Sequence, residues 1–187
     1  MRKPTARSPG KVPNFSSSTE RPPFHDGYSL NRSASHWLEL KVPPPVISSV
    51  TGLCMWLVVK YLPSLSLVWP WHLEIASALA LSGAFFDISG ALAFRKVKTT
   101  INPIKPANSS AMVISGIYRY SRNPMYFGLL LILCGWATYL SHPLAFLGLP
   151  VFVAYISRFQ ILPEERVLAL KFGADYANYL KTVRRWI

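Results

Sequence analysis

The chain has 187 residues, of which 51% are apolar and 15% are charged, and its 20 Lys and Arg residues against 8 Asp and Glu residues give a net charge of +12. Soluble proteins are roughly 25% charged, and nucleic-acid binders carry their basic residues as a stripe on a folded surface, so this composition excludes a soluble nucleic-acid-binding protein. The apolar residues gather into four blocks with basic residues between and after them, which indicates a small membrane protein.

The N-terminal part of the chain has the composition of an unfolded tail. Residues 1–40 are rich in Pro, Ser, Arg and Lys and have no apolar periodicity. Such a segment cannot bury enough apolar surface to offset the entropy lost on ordering. The sequence therefore predicts a disordered basic tail over 1–40 and one membrane domain over 41–187. Whether residues 1–37 belong to the working protein stays open.

Four apolar segments come close to the length of about 20 residues that an α-helix needs to cross a bilayer. The predicted spans cover residues 44–62, 73–94, 124–140 and 143–162. Asn123 and Pro124 are typical of an N-cap and a first helical residue, so they mark the start of the third span. Pro150 predicts a bend in the fourth span, unless it marks the true start of that helix.

The C-terminal segment predicts an amphipathic helix over 163–183. Glu164 and Glu165 suit the N-terminus of a helix, and Gly173 is its weak point. Apolar side chains follow at three- and four-residue spacing: Leu168, Phe172, Tyr176, Tyr179, Leu180 and Val183. The predicted fold is therefore all-α, a polytopic membrane protein with about four transmembrane helices and a C-terminal cytoplasmic helix.

The distribution of Lys and Arg predicts the orientation of the spans. The cations lie in the N-terminal tail, in the loop between the second and third spans and in the C-terminal tail, and are absent from the two short turns. The positive-inside rule then predicts an integral, multi-pass protein with both termini and the middle loop in the cytoplasm. Any chemistry at these segments would face the cytosol.

Cysteine and histidine give no sign of a metal site. Cys54 and Cys134 fall inside apolar blocks, and no cluster has the spacing of metal ligands. We therefore predict no metal. The histidines, among them His142 at the turn before the fourth span, are expected at the surface.

Two features of the sequence point to chemistry. Asp87 lies near the middle of the second predicted span, where a carboxylate is costly and is a functional candidate; protonation, or pairing with a polar group of another helix, is the alternative. Residues 116–128, GIYRYSRNPMYFG, place Arg122 beside a helix N-terminus, which suits a carboxylate or phosphate. Anchoring of Tyr and Arg side chains at the membrane interface explains this second feature equally well.

GIYRYSRNPMYFG, together with the later PEERVLALKFGADYANYLKTVRRWI, resembles the membrane methyltransferases of the isoprenylcysteine carboxyl methyltransferase and phospholipid methyltransferase group. The pattern of that group is G-x-Y-x-x-x-R-H-P-x-Y-x-G, followed by a Glu-Glu pair that opens a helix ending in Y-x-x-Y-x-x-x-V. The likeness extends over residues 38–187.

The resemblance implies S-adenosylmethionine as the methyl donor, bound between the ends of the last spans and the C-terminal segment. It implies Arg122 and Glu165 as catalytic residues. Cofactor contacts are implied for Tyr118, Asn123, Pro124, Tyr126, Gly128 and Glu164. Asn123 replaces the usual His, and because an amide does not titrate, a structural or cofactor contact is expected there rather than a general base. Arg184 and Arg185 fit interfacial anchors or contacts to an anionic acceptor.

The resemblance further implies methyl transfer to a lipophilic acceptor, a prenylcysteine-like carboxylate or a related lipid, at the cytoplasmic membrane face. The implied partners are this acceptor and membrane lipid, with no nucleic acid and no obligate protein partner. Two other classes stay open. A membrane reductase of the sterol reductase type, which uses NADPH, shares R-x-P-x-Y-x-G and the C-terminal Tyr positions, and a small four-span transporter would use Asp87.

Overall fold

The computed structural model describes residues 39–63, 69–97 and 112–187, and these residues are helical or irregular, with no strand among them. Nearly all of the predicted basic tail over 1–40 and much of the basic loop between the second and third predicted spans lie outside the described residues. The fold described below is that of the remaining chain.

Five α-helices follow one another in the described ranges. They are α1 (Pro44–Tyr61), α2 (His72–Val97), α3 (Pro124–Leu140), α4 (Gly148–Ile156) and α5 (Leu162–Thr182). Short 3₁₀ turns, Gly116–Arg119 and Pro143–Leu147, precede α3 and α4. A π-helical turn, Ser157–Ile161, joins α4 to α5 without a break.

Two helical segments of the described chain are long and apolar enough, by length and composition, to cross a membrane. They are α2 and the continuous run Pro143–Thr182. Helix α3 is a shorter apolar helix. Large apolar side chains stay exposed on the outer faces of α1 and α2, as in helices that contact lipid: Val50, Leu53, Leu81, Phe85, Ile88 and Leu92. Two segments meet these criteria rather than four, so the four-span topology stays a prediction.

After its opening 3₁₀ turn, the helical run that begins at Pro143 departs from α geometry at two places, and neither is Pro150. Pro150 is the third residue of α4, which begins at Gly148, and proline is tolerated in the first turn of a helix. The departures are the π turn Ser157–Ile161 and Gly173, which has φ 50° and ψ −121°. The weak point predicted at Gly173 is therefore a kink in α5.

Helices α2 and α3 approach closely because small residues face each other along their contact. A Cβ atom at Gly128 would collide with the Gly83 carbonyl oxygen and with Oδ1 of Asp87, and one at Gly135 would lie 2.7 Å from the Ala76 carbonyl oxygen. Such close backbone approach is typical of helix pairs in membranes. The main apolar core lies on the other side of α3: Ile47, Met55, Leu133, Phe152, Ile156 and Ile161.

His142 is fully buried, so the surface position expected for it is wrong. Its Nδ1 accepts a hydrogen bond from the Leu144 N–H at 3.2 Å, which leaves the proton on Nε2 to be donated to the Leu62 carbonyl oxygen at 2.9 Å. The imidazole thus joins the end of α1 to the turn before α4. It also lines a cavity of about 370 Å³ with Trp69, Ser141, Pro143 and Phe146.

Candidate functional site

The segment leading into α3 is fixed by its own backbone and by a buried serine. Gly116 has φ +64°, a left-handed conformation that glycine adopts without strain. The 3₁₀ turn Gly116–Arg119 follows it. Ser121 is fully buried, and its Oγ accepts a hydrogen bond from the Asn123 N–H at 3.1 Å. This turn leads directly into α3 and directs Arg122 toward the C-terminal segment.

Asn123 stands at the N-cap position of α3, but its side chain makes no capping hydrogen bond. Its Nδ2 instead donates to the carbonyl oxygen of Arg185 at 2.9 Å. One residue earlier, the backbone N–H of Arg122 donates to the carbonyl oxygen of Arg184 at 3.0 Å. Asn123 is therefore the N-cap residue, as predicted, but its amide joins the C-terminal segment to the start of α3 instead of capping the helix.

The carboxylate of Glu165 lies between two guanidinium groups. Arg185 donates from Nη2 to Oε2 at 2.8 Å and from Nε to Oε1 at 3.1 Å, and Nη1 of Arg122 lies 3.3 Å from Oε1. The side chains of Arg122 and Glu165 are only 13% and 12% exposed. Bidentate pairs of this kind are the stronger ion pairs, and burial makes the loss of one partner expensive.

Arg122 has a further donor that remains unused. Its Nε is buried and has no hydrogen-bond partner in the structure. Unsatisfied buried donors are rare in folded proteins, and each one calls for an explanation such as a ligand. Arg122 can thus hold Glu165 through Nη1 and still offer an N–H to an anion.

The neighbouring acid, Glu164, is held by α3. Tyr126 is buried, and its hydroxyl donates to Oε1 of Glu164 at 2.5 Å. The two adjacent carboxylates therefore contact different elements, Glu164 the side of α3 and Glu165 the C-terminal segment. Both acids lie in the first turn of α5, but α5 continues α4 through the π turn, so the free helix N-terminus predicted for them is not present.

Tyr118 closes the site on the side of α2. Its ring packs edge-on against Phe94 with the ring centres 5.5 Å apart, and its carbonyl oxygen accepts a hydrogen bond from the Tyr179 hydroxyl at 2.6 Å. Burial raises the pKa of the Tyr118 phenol, and the ionisable groups of Tyr179, Glu164 and Asp87 raise it further. The hydroxyl therefore stays protonated at neutral pH.

We call Tyr118, Arg122, Tyr126, Glu164, Glu165 and Arg185 the polar cluster. Two of the other predicted residues lie close to it in the chain but have different surroundings. Pro124 is the first residue of α3, as predicted, and is buried. Gly128 packs against Asp87 and Gly83 of α2. The cofactor contacts of Pro124 and Gly128 stay predictions.

Asp87 lies outside the polar cluster, in the contact between α2 and α3. Its Oδ1 is buried and has no hydrogen-bond partner in the structure. The expected pairing with a polar group of another helix is not seen for this oxygen. One turn later on α2, the Tyr118 hydroxyl lies 3.6 Å from where a Cβ atom on Gly90 would stand, so this part of α2 borders the site.

Sequence reasoning identified the residues of the two motifs but not their partners near the chain end. Tyr179 was assigned only to an apolar face, and Arg185 only to an anchor or an acceptor contact. The spacing of the Y-x-x-Y-x-x-x-V run carried a signal for Tyr179, because both tyrosines fall on one face of a helix. No local pattern pairs Arg185 with Glu165, since that contact depends on how the C-terminal segment folds back.

The polar cluster offers groups of both signs within one largely buried site. The guanidinium of Arg122 suits a carboxylate or a phosphate, and the carboxylates of Glu164 and Glu165 suit an ammonium group or sugar hydroxyls. The aromatic faces of Tyr118 and Tyr126 suit a cation. Such a set of groups fits a zwitterionic ligand that carries a further positive charge.

Comparison with known proteins finds relatives of this chain. The model of a family described as phospholipid methyltransferase matches residues 71–175, which include α2, α3 and the first part of α5. An uncharacterized protein of Haemophilus influenzae is 48% identical over 63 residues, a stretch that covers 34% of this chain and 100% of the relative. No solved structure matches the chain.

Proposed function

The chain belongs to the phospholipid methyltransferase family, a group of membrane methyltransferases, and from this premise we propose that it transfers a methyl group from S-adenosylmethionine to a lipophilic acceptor at the cytoplasmic face of a membrane. The observation that carries the proposal is the buried pair Arg122–Glu165, which joins the two halves of the motif at 3.3 Å. Arg122 keeps a buried, unused N–H beside that pair.

The residues of the polar cluster fit the charged groups of this donor. Arg122 would hold its carboxylate through Nε, and Glu164 or Glu165 would hold its ammonium group or its ribose hydroxyls. Tyr118 and Tyr126 would face its sulfonium or stack on its adenine. When bound, the donor supplies an activated methyl group, so the main task left to the protein is alignment with a nucleophile.

The protein's own contribution is to fix geometry and exclude water. Arg185 and Arg122 hold Glu165 from two sides, and Tyr126 holds Glu164. Side chains locked in this way keep a binding site close to its working geometry. This arrangement supports alignment rather than acid–base chemistry as the basis of catalysis.

For the acceptor we propose a carboxylate of the prenylcysteine type or that of a related lipid. A carboxylate is nucleophilic without a base and needs only partial removal of its water beside a cation. Asn123 cannot take a proton, and its amide is already bound to the Arg185 carbonyl oxygen. An acceptor that arrives deprotonated is consistent with both observations.

Calorimetry of the full chain in detergent tests the proposal, with S-adenosylhomocysteine as the ligand. We expect binding by the wild type and at least about tenfold weaker binding by Glu165→Gln, since a hydrogen bond to a charged group is removed from a buried site. Glu74→Gln, an exposed acid in the first turn of α2, is the matched control and should bind like the wild type. Absence of heat with the wild type at high concentration would contradict the proposal.

Uptake of radiolabelled methyl into lipid extracts then identifies the acceptor. Labelled products that lose the methyl group in mild base would be esters, as expected for a carboxylate acceptor. Base-stable products would indicate an amine instead. Preference for NADPH over S-adenosylmethionine would favour the reductase class, and proton-coupled flux in liposomes lost on Asp87→Asn would favour the transporter.

A further inference from the structure

Four residues ahead of α1 cross the junction between α4 and α5. We call residues 39–42 the strap. The Leu40 N–H donates to the carbonyl oxygen of Phe159 at 3.0 Å, and Nε2 of Gln160 donates to the carbonyl oxygen of Val42 at 2.8 Å. Both contacts fall inside the π turn, and Gln160 is fully buried. The strap is therefore fastened to the π turn that joins α4 to α5.

The strap also carries a buried charge that spans this turn. Oε1 of Glu39 accepts hydrogen bonds from Nη1 of Arg158 at 3.2 Å and from Nη2 of Arg166 at 2.8 Å. Arg158 belongs to the π turn and Arg166 to the start of α5. The Glu39 side chain is 9% exposed, whereas the two arginine side chains are 49% and 39% exposed. One largely buried carboxylate thus holds the residues on either side of the junction.

The π turn decides which way the acids of α5 point. A π turn adds one residue to an α-helix, and one residue corresponds to a rotation of about 100° around the helix axis. Glu164 meets Tyr126 and Glu165 meets Arg122 only with α5 in its present rotation. Conversion of Ser157–Ile161 to regular α-helix would turn both carboxylates away from α3. Since isolated π turns are rare, this one needs contacts that favour it.

We propose that Glu39 is a positioning residue of the methyl-donor site, which holds Arg158 and Arg166 across the π turn and thereby sets the rotation at which α5 presents Glu164 and Glu165. Glu39 does not belong to the polar cluster and acts on the donor only through α5. This inference rests on the proposed function, because it assigns Glu39 a part in binding the donor of that reaction.

The test compares Glu39→Gln with the wild type, each as the full chain in detergent. Calorimetry with S-adenosylhomocysteine should show binding weaker by about tenfold, because small displacements of positioned groups have large effects. Hydrogen exchange of peptides that cover residues 157–166 should be faster in the ligand-free variant, since the π turn loses its bridging charge. Glu39→Asp keeps the charge, so it should recover part of the affinity for S-adenosylhomocysteine and part of the protection of residues 157–166 from exchange.

A matched control separates positioning from general stability. Trp136→Phe removes the hydrogen bond from Nε1 to the Gly52 carbonyl oxygen, 3.0 Å long, which joins α3 to α1. It should lower the thermal midpoint while leaving both the affinity for S-adenosylhomocysteine and the exchange of residues 157–166 unchanged.

The outcomes distinguish the two proposals. Wild-type binding with equal binding by Glu39→Gln overturns the inference and leaves the proposed function intact. Faster exchange with unchanged affinity also overturns it, because Glu39 would then support the fold without positioning the site. No binding by the wild type overturns the proposed function, and the role of Glu39 in donor binding with it. If Glu39→Gln does not fold, Glu39→Asp carries the same comparison.

Discussion

The two ends of α3 differ in whether their buried polar groups all have hydrogen-bond partners. At the end near Ser141, each ring nitrogen of His142 has a backbone partner, and the Ser141 hydroxyl donates to the Thr138 carbonyl oxygen at 2.9 Å. At the end near Asn123, charged groups of both signs are buried, and Nε of Arg122 has no partner. Satisfied polar groups hold a fold together, whereas an unused donor beside buried charges is consistent with the proposed donor site.

The largest effect is expected from Arg122→Ala at the charged end. The variant lacks the guanidinium proposed to hold the donor's carboxylate, and loss of one partner of a buried, hydrogen-bonded charge pair costs about 3 kcal/mol of binding free energy, so the affinity for S-adenosylhomocysteine should fall about a hundredfold. Calorimetry measures this directly. Arg119→Ala, an exposed arginine on the preceding turn, is the matched control. Equal affinities in the two variants would contradict the assignment of ligand binding to the charged end of α3.

The contact of α3 with α2 at Gly128, one turn from the start of α3, offers a smaller effect that depends on packing rather than charge. Gly128→Ala should lower the free energy of unfolding by about 2 kcal/mol, because its Cβ has no room against α2. Gly52→Ala on α1 is the control, since the nearest atoms there lie at an ordinary 3.7 Å. Thermal denaturation in detergent compares them. A Gly128 variant as stable as the Gly52 variant would mean that α2 and α3 do not pack as closely as described.

The smallest effect on the proposed site is expected at the other end of α3. His142→Ala removes two hydrogen bonds and should lower the free energy of unfolding by about 2 kcal/mol. The affinity for S-adenosylhomocysteine should stay unchanged, since the imidazole lies at the far end of α3 from Arg122. Weaker ligand binding by this variant would show that the two ends are coupled.

Sequence reasoning succeeded where the signal is local. The start of α3 at Pro124 and its end at Leu140 follow from a helix-initiating Asn-Pro pair and from an apolar run that ends at a turn. The kink at Gly173 follows from the low helix propensity of glycine. The convergence of Arg122 with Glu165 was predicted from two linked motifs, and their side chains lie 3.3 Å apart.

The same reasoning failed where a contact depends on how distant segments dock. Nothing near Asn123 shows that its amide would bind the Arg185 carbonyl oxygen instead of capping α3, and nothing near His142 shows that the end of α1 would bury it. The π turn Ser157–Ile161 could not be predicted from the sequence, because a single inserted residue changes the hydrophobic periodicity of a short segment too little to be detected. The arginine partners of Glu39 could not be predicted either, because those contacts also depend on how distant segments dock.

Gly173 divides α5 into two parts that contact different segments of the chain. The part before it carries Glu164 and Glu165, and the part after it carries Tyr179, whose hydroxyl donates to the Tyr118 carbonyl oxygen just ahead of α3. Apart from the adjoining backbone, no atom of the described residues lies within 4 Å of where a Cβ atom on Gly173 would stand. Rotation of the helix about this residue would therefore meet no described side chain at the pivot, and the hydrogen bond from Tyr179 to Tyr118 opposes such a rotation.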